Sequence, residues 1–259
     1  MEAENIYAKI REIFGHIPDN LNILQEQIDI DLQMEYYAHA RNRDKALQEE
    51  EILKNKNELF SASCTTEVKK DLLTQLASLE NVEAYRIIEK FLEQPDEKLR
   101  DWAVLALQEN RMLLETRFLD ENQVFISTGL GGKGSRLRYF IVLLSKKRSP
   151  LNETQVKVIR GEFDYLLSHH DSELEDIQFY DKFVTMRVLI PMHITIKDLF
   201  RKGIDECNQF GDFLRINFMV TNVKQLTAEE ITIFLESRKR KKRNTGSIKS
   251  KKNGENRKK

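Results

Sequence analysis

The hydrophobic pattern of the chain changes its period once, close to Asp120. Before that point apolar residues recur at three or four positions, as in Ile10, Ile13 and Phe14, which is the spacing of one helical face. After it, short runs such as 138–144 and 183–190 are typical of strands. The sequence therefore predicts an α+β fold in which an all-helical segment precedes a mixed segment.

The pattern of apolar residues in the first 120 positions predicts helices throughout. Leu21 to Ala40 is an apolar and polar pattern with no Gly or Pro, and a polar helix is expected over 45–59. Helices are then predicted over 67–78, capped by Thr65 or Thr66, over 82–93, capped by Asn81, and over 97–114.

Two of these helices repeat one pattern. Residues 67–76 overlie 98–107 at an offset of 31 residues, so that Val68 matches Leu99 and Leu72 matches Ala103. Leu99 to Leu107, preceded by Pro95-Asp96-Glu97, resembles the first helix of a HEAT repeat, and the resemblance covers about residues 66–115. It implies stacked helix pairs with a surface for protein partners. The alternative is a plain helical bundle in which the match arose by chance.

The mixed segment has the element order β-α-β-β-α-β from Arg138 onward. Strands are expected over 138–144, 175–180, 183–190 and 213–220, and helices over 152–168 and 195–210. This order predicts a ferredoxin-like sandwich, with an extra strand at 124–126 and a final helix from Thr227. Asn152 with Gln155, and Thr227 with Glu230, have the spacing of capping boxes.

The formal net charge of zero conceals three segments of different charge. Residues 238–259 hold twelve Lys or Arg and one acid, a net charge of +11, so the rest carries −11. Residues 1–120 carry −10 and residues 121–237 carry −1. We therefore predict an acidic helical domain over 1–120, a ferredoxin-like domain over 121–237 and a disordered polycationic tail over 238–259.

The basic tail predicts contact with a polyanion through the release of counterions. Nucleic acid, either RNA (ribosomal RNA included) or DNA, is the expected class. The alternatives are a nuclear import signal in a eukaryote, contact with an anionic membrane surface, a solubilising extension, or self-masking on the acidic domain. The candidate nucleic-acid-binding residues are Arg238, Lys239, Arg240, Lys241, Lys242, Arg243, Lys249, Lys251 and Lys252.

A glycine-rich stretch, 129–135, has two interpretations. It fails as a phosphate-binding P-loop because Gly134 follows Lys133 and the stretch leads into a strand. One interpretation is a hairpin loop whose glycines supply positive φ. The other is an anion site that combines free backbone amides with the candidate anion-binding residues Lys133, Arg136 and Arg138.

No catalytic, metal or cofactor motif is recognisable. Cys64 and Cys207 stand in no metal-ligand or disulfide spacing, which fits a reducing compartment. No apolar run approaches the length of a membrane-spanning helix. A cytoplasmic location is expected, or a nuclear one in a eukaryote.

The sequence thus predicts a non-enzymatic adaptor that binds unidentified protein partners through its folded body and nucleic acid through its tail. The alternative is a small-molecule or nucleotide-binding regulator, or an undetected enzyme, that uses residues 129–135 as an anion site.

Overall fold

A computed structural model of the 259-residue chain describes residues 12, 21–44, 46–94, 96–119, 124–147 and 149–237. Helices and strands are both present, so the mixed α+β fold predicted from the change of period is confirmed. The chain divides into two compact units, residues 1–224 and residues 225–259.

The helical part of the first unit has the elements β1 (Leu21–Ile23), α1 (Ile30–Asn42), α2 (Glu49–Lys54), a 3₁₀ helix (Asn55–Phe60), α3 (Thr66–Ala77), α4 (Val82–Glu93) and α5 (Arg100–Leu119). Side-chain caps fix the starts of α3 and α4. Thr65 accepts from the Val68 amide at 3.4 Å, and Asn81 accepts from the Glu83 amide at 2.6 Å. Both caps satisfy backbone donors that a first helical turn leaves unpaired, and they confirm the predicted starts.

Leu21–Ile23 is a strand and the helix begins only at Ile30, so the helix predicted over Leu21 to Ala40 is confirmed in its second half and wrong at its start. β1 pairs in parallel with β2 (Val124–Ile126), with Leu21 opposite Val124. The Leu24 amide continues the ladder by donating to the Ile126 carbonyl at 2.9 Å. Since the two strands lie about a hundred residues apart, the ladder joins the start of the helical part to its end.

The core of the helical part is built around Trp102, which is fully buried. Its indole nitrogen donates to the Lys70 carbonyl and to the Thr74 hydroxyl, each at 3.3 Å. The two helices of the predicted repeat are not equivalent, because Leu99 is fully buried while its counterpart Val68 is 42% exposed. The HEAT-like assignment stays a prediction.

The sheet part has the elements β3 (Gly132–Lys133), β4 (Arg136–Leu144), α6 (Glu153–Ser168), β5 (Glu173–Phe179), β6 (Phe183–Pro191), α7 (Ile196–Gln209) and β7 (Met219–Thr221). The order of elements agrees with the prediction from the sequence. The strand expected over 213–220 is mostly absent, because Leu214 forms an isolated bridge with Ser145 and regular pairing begins only at Met219.

The pairings of these strands are all antiparallel. β6 lies on one side of β4, while β3 and β7 both pair with its other side, and β5 pairs with β6. A register shift interrupts the β5 ladder between Leu174 and Asp176.

Alternate residues of β4 face the two long helices of the sheet part. They are Leu137, Tyr139, Ile141 and Leu143, and they share one apolar cluster with residues of α6 and α7. The helices approach each other closely at Gly203, where a Cβ atom would lie 2.7 Å from the Phe163 ring. Gly203 therefore permits the helix contact beside the stacked rings of Phe163 and Phe200.

In the second unit, residues 228–237 are helical and form α8. The Thr227 amide donates to the Glu230 carboxylate at 2.9 Å, and the Glu230 amide donates to the Thr227 hydroxyl at 3.2 Å. The capping box predicted at this position is confirmed, as is that of α6, where Asn152 and Gln155 bond reciprocally.

Candidate functional site

The glycine-rich stretch forms the hairpin between β3 and β4. Gly134 lies in its turn with φ of +60°, a backbone conformation that favours glycine. Gly131 has φ of +65°, and a Cβ there would overlap the Glu26 carbonyl; at Gly129 it would overlap the Val223 carbonyl. Turn geometry and close backbone packing therefore account for these three glycines.

Four backbone amides of this stretch already have acceptors within the protein. Gly134 donates to the Gln25 side chain at 2.7 Å, and Gly131 donates to the Thr128 carbonyl at 3.2 Å. Leu130 donates to the Asn222 carbonyl at 3.0 Å, and Gly132 donates to the Gln25 carbonyl at 3.4 Å. An anion at the loop would have to displace these bonds, so the amide cradle of the predicted anion site is not preformed.

The three predicted anion-binding cations lie against carboxylates of β5. Lys133 is 3.2 Å and Arg136 is 3.8 Å from Glu173. Arg138 donates twice to Glu175, at 2.6 and 2.8 Å. The structure thus brings the three cations within reach of β5, but it places a carboxylate beside each of them.

Glu175 is the centre of a charged network on the face of the sheet opposite α6 and α7. Arg187 of β6 also donates to it, at 3.1 Å, and Arg138 donates to the Leu130 carbonyl at 2.8 Å. The hydrogen bond from Arg138 lowers the pKa of the Glu175 carboxyl, and Arg187 adds to this shift. The network fixes the hairpin to β5 and β6.

A second candidate is a cavity of about 360 Å³ between α1 and α3. Its lining residues are His39, Asn42, Arg43, Asp44, Asp71 and Gln75. His39 Nε2 lies 3.0 Å from Asp71 Oδ1, a pairing that joins two helices. Sequence reasoning missed this pair, because the two residues are 32 positions apart and neither stands in a motif.

The geometry of His39 does not suit acid–base catalysis. Its Nδ1 is buried and has no hydrogen-bond partner, and its ring packs edge-to-face on Trp102 at 5.3 Å. General acid–base catalysis needs a ring nitrogen within reach of a substrate proton. In His39, Nε2 is paired with Asp71 and Nδ1 is buried. The His39–Asp71 pair thus positions α1 against α3.

Cys207 offers no activated thiolate. Burial raises the pKa of the Cys207 thiol to about 12, and Cys64 is half-buried. Among the described residues, no three His, Cys, Asp or Glu side chains come together as a metal-binding group. None of the described helices is long and apolar enough to cross a membrane.

The predicted nucleic-acid-binding residues, Arg238 to Arg243 with Lys249, Lys251 and Lys252, lie outside the described residues. Their role stays a prediction from the sequence.

The chain matches no protein-family profile, and no curated protein is similar to it in sequence. Among solved structures it is similar to a protein of Deinococcus radiodurans R1 described as a candidate transposase, with a TM-score of 0.36 and 14% identity, over 41% of this chain and 93% of that one. It is also similar to the REP-associated tyrosine transposase bound to a REP hairpin, with a TM-score of 0.30 and 12% identity, over 34% of this chain and 57% of that one.

These comparisons go against the two predictions of a non-enzymatic protein and of an adaptor. Both solved structures are of proteins described as transposases, which are enzymes that act on DNA. Both predictions are therefore withdrawn. With TM-scores of 0.36 and 0.30, the likenesses carry no argument for a particular activity of this chain.

Proposed function

We propose that this protein binds nucleic acid, and that the segment 238–259 supplies the main contacts with the phosphate backbone. The observation that carries the proposal is the excess of twelve Lys or Arg over one acid in that segment. By contrast, the predicted anion-binding cations of the sheet part each have a carboxylate beside them. The segment is thus the main source of uncompensated positive charge in the sequence.

The physical basis is the release of counterions. Each phosphate that a Lys or Arg neutralises frees condensed cations, so affinity falls steeply with salt and depends little on base sequence. Contacts of this kind recognise the phosphate backbone rather than particular bases. The proposed binding is therefore sequence-independent.

Truncation after Ser237 tests the proposal. Binding of the full chain and of the truncated chain to labelled single-stranded DNA, duplex DNA and RNA is measured by fluorescence anisotropy across a salt series. We expect the full chain to lose about 0.7 to 0.9 in log K per neutralised phosphate for each tenfold rise in salt, and truncation to weaken binding at least about a hundredfold. Equal affinity of the two proteins would contradict the proposal.

Lys133 and Arg136 are candidate secondary phosphate contacts. The Lys133 side chain is 60% exposed, and its pair with Glu173 at the surface is worth only about 0 to 1 kcal/mol, so a phosphate can replace it. Arg138 is held by three hydrogen bonds and is mostly buried, which favours a structural role. Changing Lys133 and Arg136 to Gln serves as the control: a small loss of affinity beside a large loss on truncation separates the two regions.

The finer description of the folds is part of the same proposal. The strand order β7-β4-β6-β5, with antiparallel pairings and with α6 and α7 on one face, supports a ferredoxin-like sandwich for residues 136–221. The HEAT-like character of residues 66–115, the division into domains at 120 and 237, and a cytoplasmic or nuclear location are kept as predictions from the sequence.

A further inference from the structure

Gly161 lies in the middle of α6 in a position that the fold does not explain. A Cβ atom there would meet nothing within 4 Å, so neither packing nor a turn requires glycine. Glycine is less stable than alanine in a helix interior because it loses more backbone freedom on folding. Gly203 of α7 is the opposite case, since the Phe163 ring excludes a side chain there.

The exposed face around Gly161 carries two charged side chains and one large aromatic ring. Lys157 and Asp164 are exposed, and neither side chain forms an ion pair or hydrogen bond with any described residue. Tyr165 is 63% exposed, and its ring centroid lies 4.0 Å from that of His169. A large aromatic ring and two opposite charges therefore surround the position of Gly161, where no side chain projects from the helix.

These positions form one stripe of the helix. A helix turns by about 100° and rises about 1.5 Å per residue. Lys157 and Asp164 therefore lie on the same side of a line drawn through Gly161 parallel to the helix axis, about 40° and 60° around the helix from it. Lys157 stands four residues before Gly161 and Asp164 three residues after it. Tyr165 and Val158 lie on the other side of that line, at similar angles.

Two such helices are complementary when they pack antiparallel about a two-fold axis at Gly161. Reversing one helix brings its Asp164 to within about 1.5 Å of the other's Lys157 along the axis, on the same side of the interface. The symmetry creates this pair twice, and it also places each Tyr165 against Val158 of the other helix. The missing side chains at Gly161 let the two backbones approach closely at the centre.

We propose that this face of α6 docks on α6 of a second copy of the chain, with Gly161 at the two-fold axis. A symmetric contact requires a surface that is complementary to itself. The exposed face of α6 meets this requirement, because Lys157 and Asp164 lie on either side of Gly161 along the helix and Gly161 has no side chain. The proposal is independent of nucleic-acid binding.

Charge reversal in the full-length chain tests the pairing. Lys157→Glu and Asp164→Lys each place like charges opposite one another twice in a symmetric dimer, so each variant alone should dissociate with a constant raised at least about tenfold. A mixture of the two variants restores opposite charges at both contacts, and should form a mixed dimer about as readily as the wild type. Analytical ultracentrifugation over a concentration series measures all three, with circular dichroism to check folding.

Cross-linking at the centre gives a second readout. Gly161→Cys, in a Cys64→Ser background, places two thiols at the symmetry axis within the range of a disulfide, so mild oxidation should give a covalent dimer. Lys202→Cys, on the exposed face of α7, is the matched control and should stay monomeric. A wild-type chain that remains monomeric across the series, a mixture that associates no better than the single variants, or equal cross-linking at both positions would each overturn the proposal.

Discussion

The helical part and the sheet part place their polar groups differently. In the helical part neutral groups are bonded inside the core: Asn110 donates to three backbone carbonyls at 2.7 to 3.3 Å, and the Trp102 indole donates to two acceptors. In the sheet part the core against α6 and α7 is apolar, and the charges of Arg138, Glu175 and Arg187 collect on the opposite face. The contribution of the Trp102 and Asn110 hydrogen bonds to stability should therefore be insensitive to acid, whereas that of the Glu175 network should be sensitive.

Removing Trp102 should have the largest effect. Trp102→Ala leaves a cavity and takes away the donor for the Thr74 hydroxyl, so we expect a loss of about 3 to 5 kcal/mol in the free energy of unfolding. Thermal unfolding followed by circular dichroism should show a fall in Tm of roughly 6 to 20 °C. Trp102→Phe, which keeps most of the apolar volume, should lose far less, and equal losses would mean that packing does not dominate at this position.

Neutralising Glu175 should have the next largest effect. Glu175→Gln leaves Arg138 and Arg187 without their shared carboxylate, at a cost of about 1.5 to 3 kcal/mol measured by urea unfolding. Glu173→Gln is the matched control on the same strand. Its partners Lys133 and Arg136 are more exposed, so the loss should stay within about 1 kcal/mol. Equal losses in the two variants would mean that the network around Glu175 adds no more stability than the exposed pairs of Glu173.

The pH dependence of stability separates the two regions further. Folding lowers the pKa of the Glu175 carboxyl. The contribution of Glu175 to the free energy of unfolding is therefore fully present above the pKa of a glutamate in the unfolded chain, about 4.3, and is lost as pH falls through the lower pKa of the folded state. The stability difference between wild type and Glu175→Gln should thus shrink progressively below about pH 4. Over the same range below about pH 4, the stability difference between wild type and Trp102→Phe should stay nearly constant, because neither Trp nor Phe is ionisable.

The two helix glycines should give the smallest effects, with opposite signs. Gly203→Ala forces the added Cβ against Phe163, and we expect a loss of about 1 to 3 kcal/mol in stability. Gly161→Ala meets open space and should gain about 0.5 to 1 kcal/mol in dilute protein. Chemical denaturation of both variants checks the pair, and a loss at Gly161 would mean that the site is constrained in a way its surroundings do not explain.

Local signals predicted much of the order of elements. Three kinds of feature were predictable, because each depends on neighbours close in sequence. They are the apolar run that became β4, the helix α4 from Val82 to Glu93, and both capping boxes. The short strand β1 was not predictable in this way. Leu21 and Ile23 fit a helical or an extended pattern equally well, and the partner that decides between them, Val124–Ile126, is remote in sequence.

The candidate sites were also predictable only where they depend on residues close in sequence. Lys133, Arg136 and Arg138 could be identified as a group from the sequence, but not their pairing with Glu173 and Glu175, which depends on the register of β5 beside β6 and on the bulge between them. The His39–Asp71 pair gave no sequence signal, since it arises only when α1 packs against α3.

The sequence by itself determined the change from helical to alternating period, the caps and the division of charge, because these depend on residue types and short-range spacing. Only the tertiary structure decided which charges are compensated and which glycines are required. Both depend on atoms brought together from distant positions in the chain: carboxylates of β5 against cations of the hairpin, and the Phe163 ring against Gly203, with open space at Gly161.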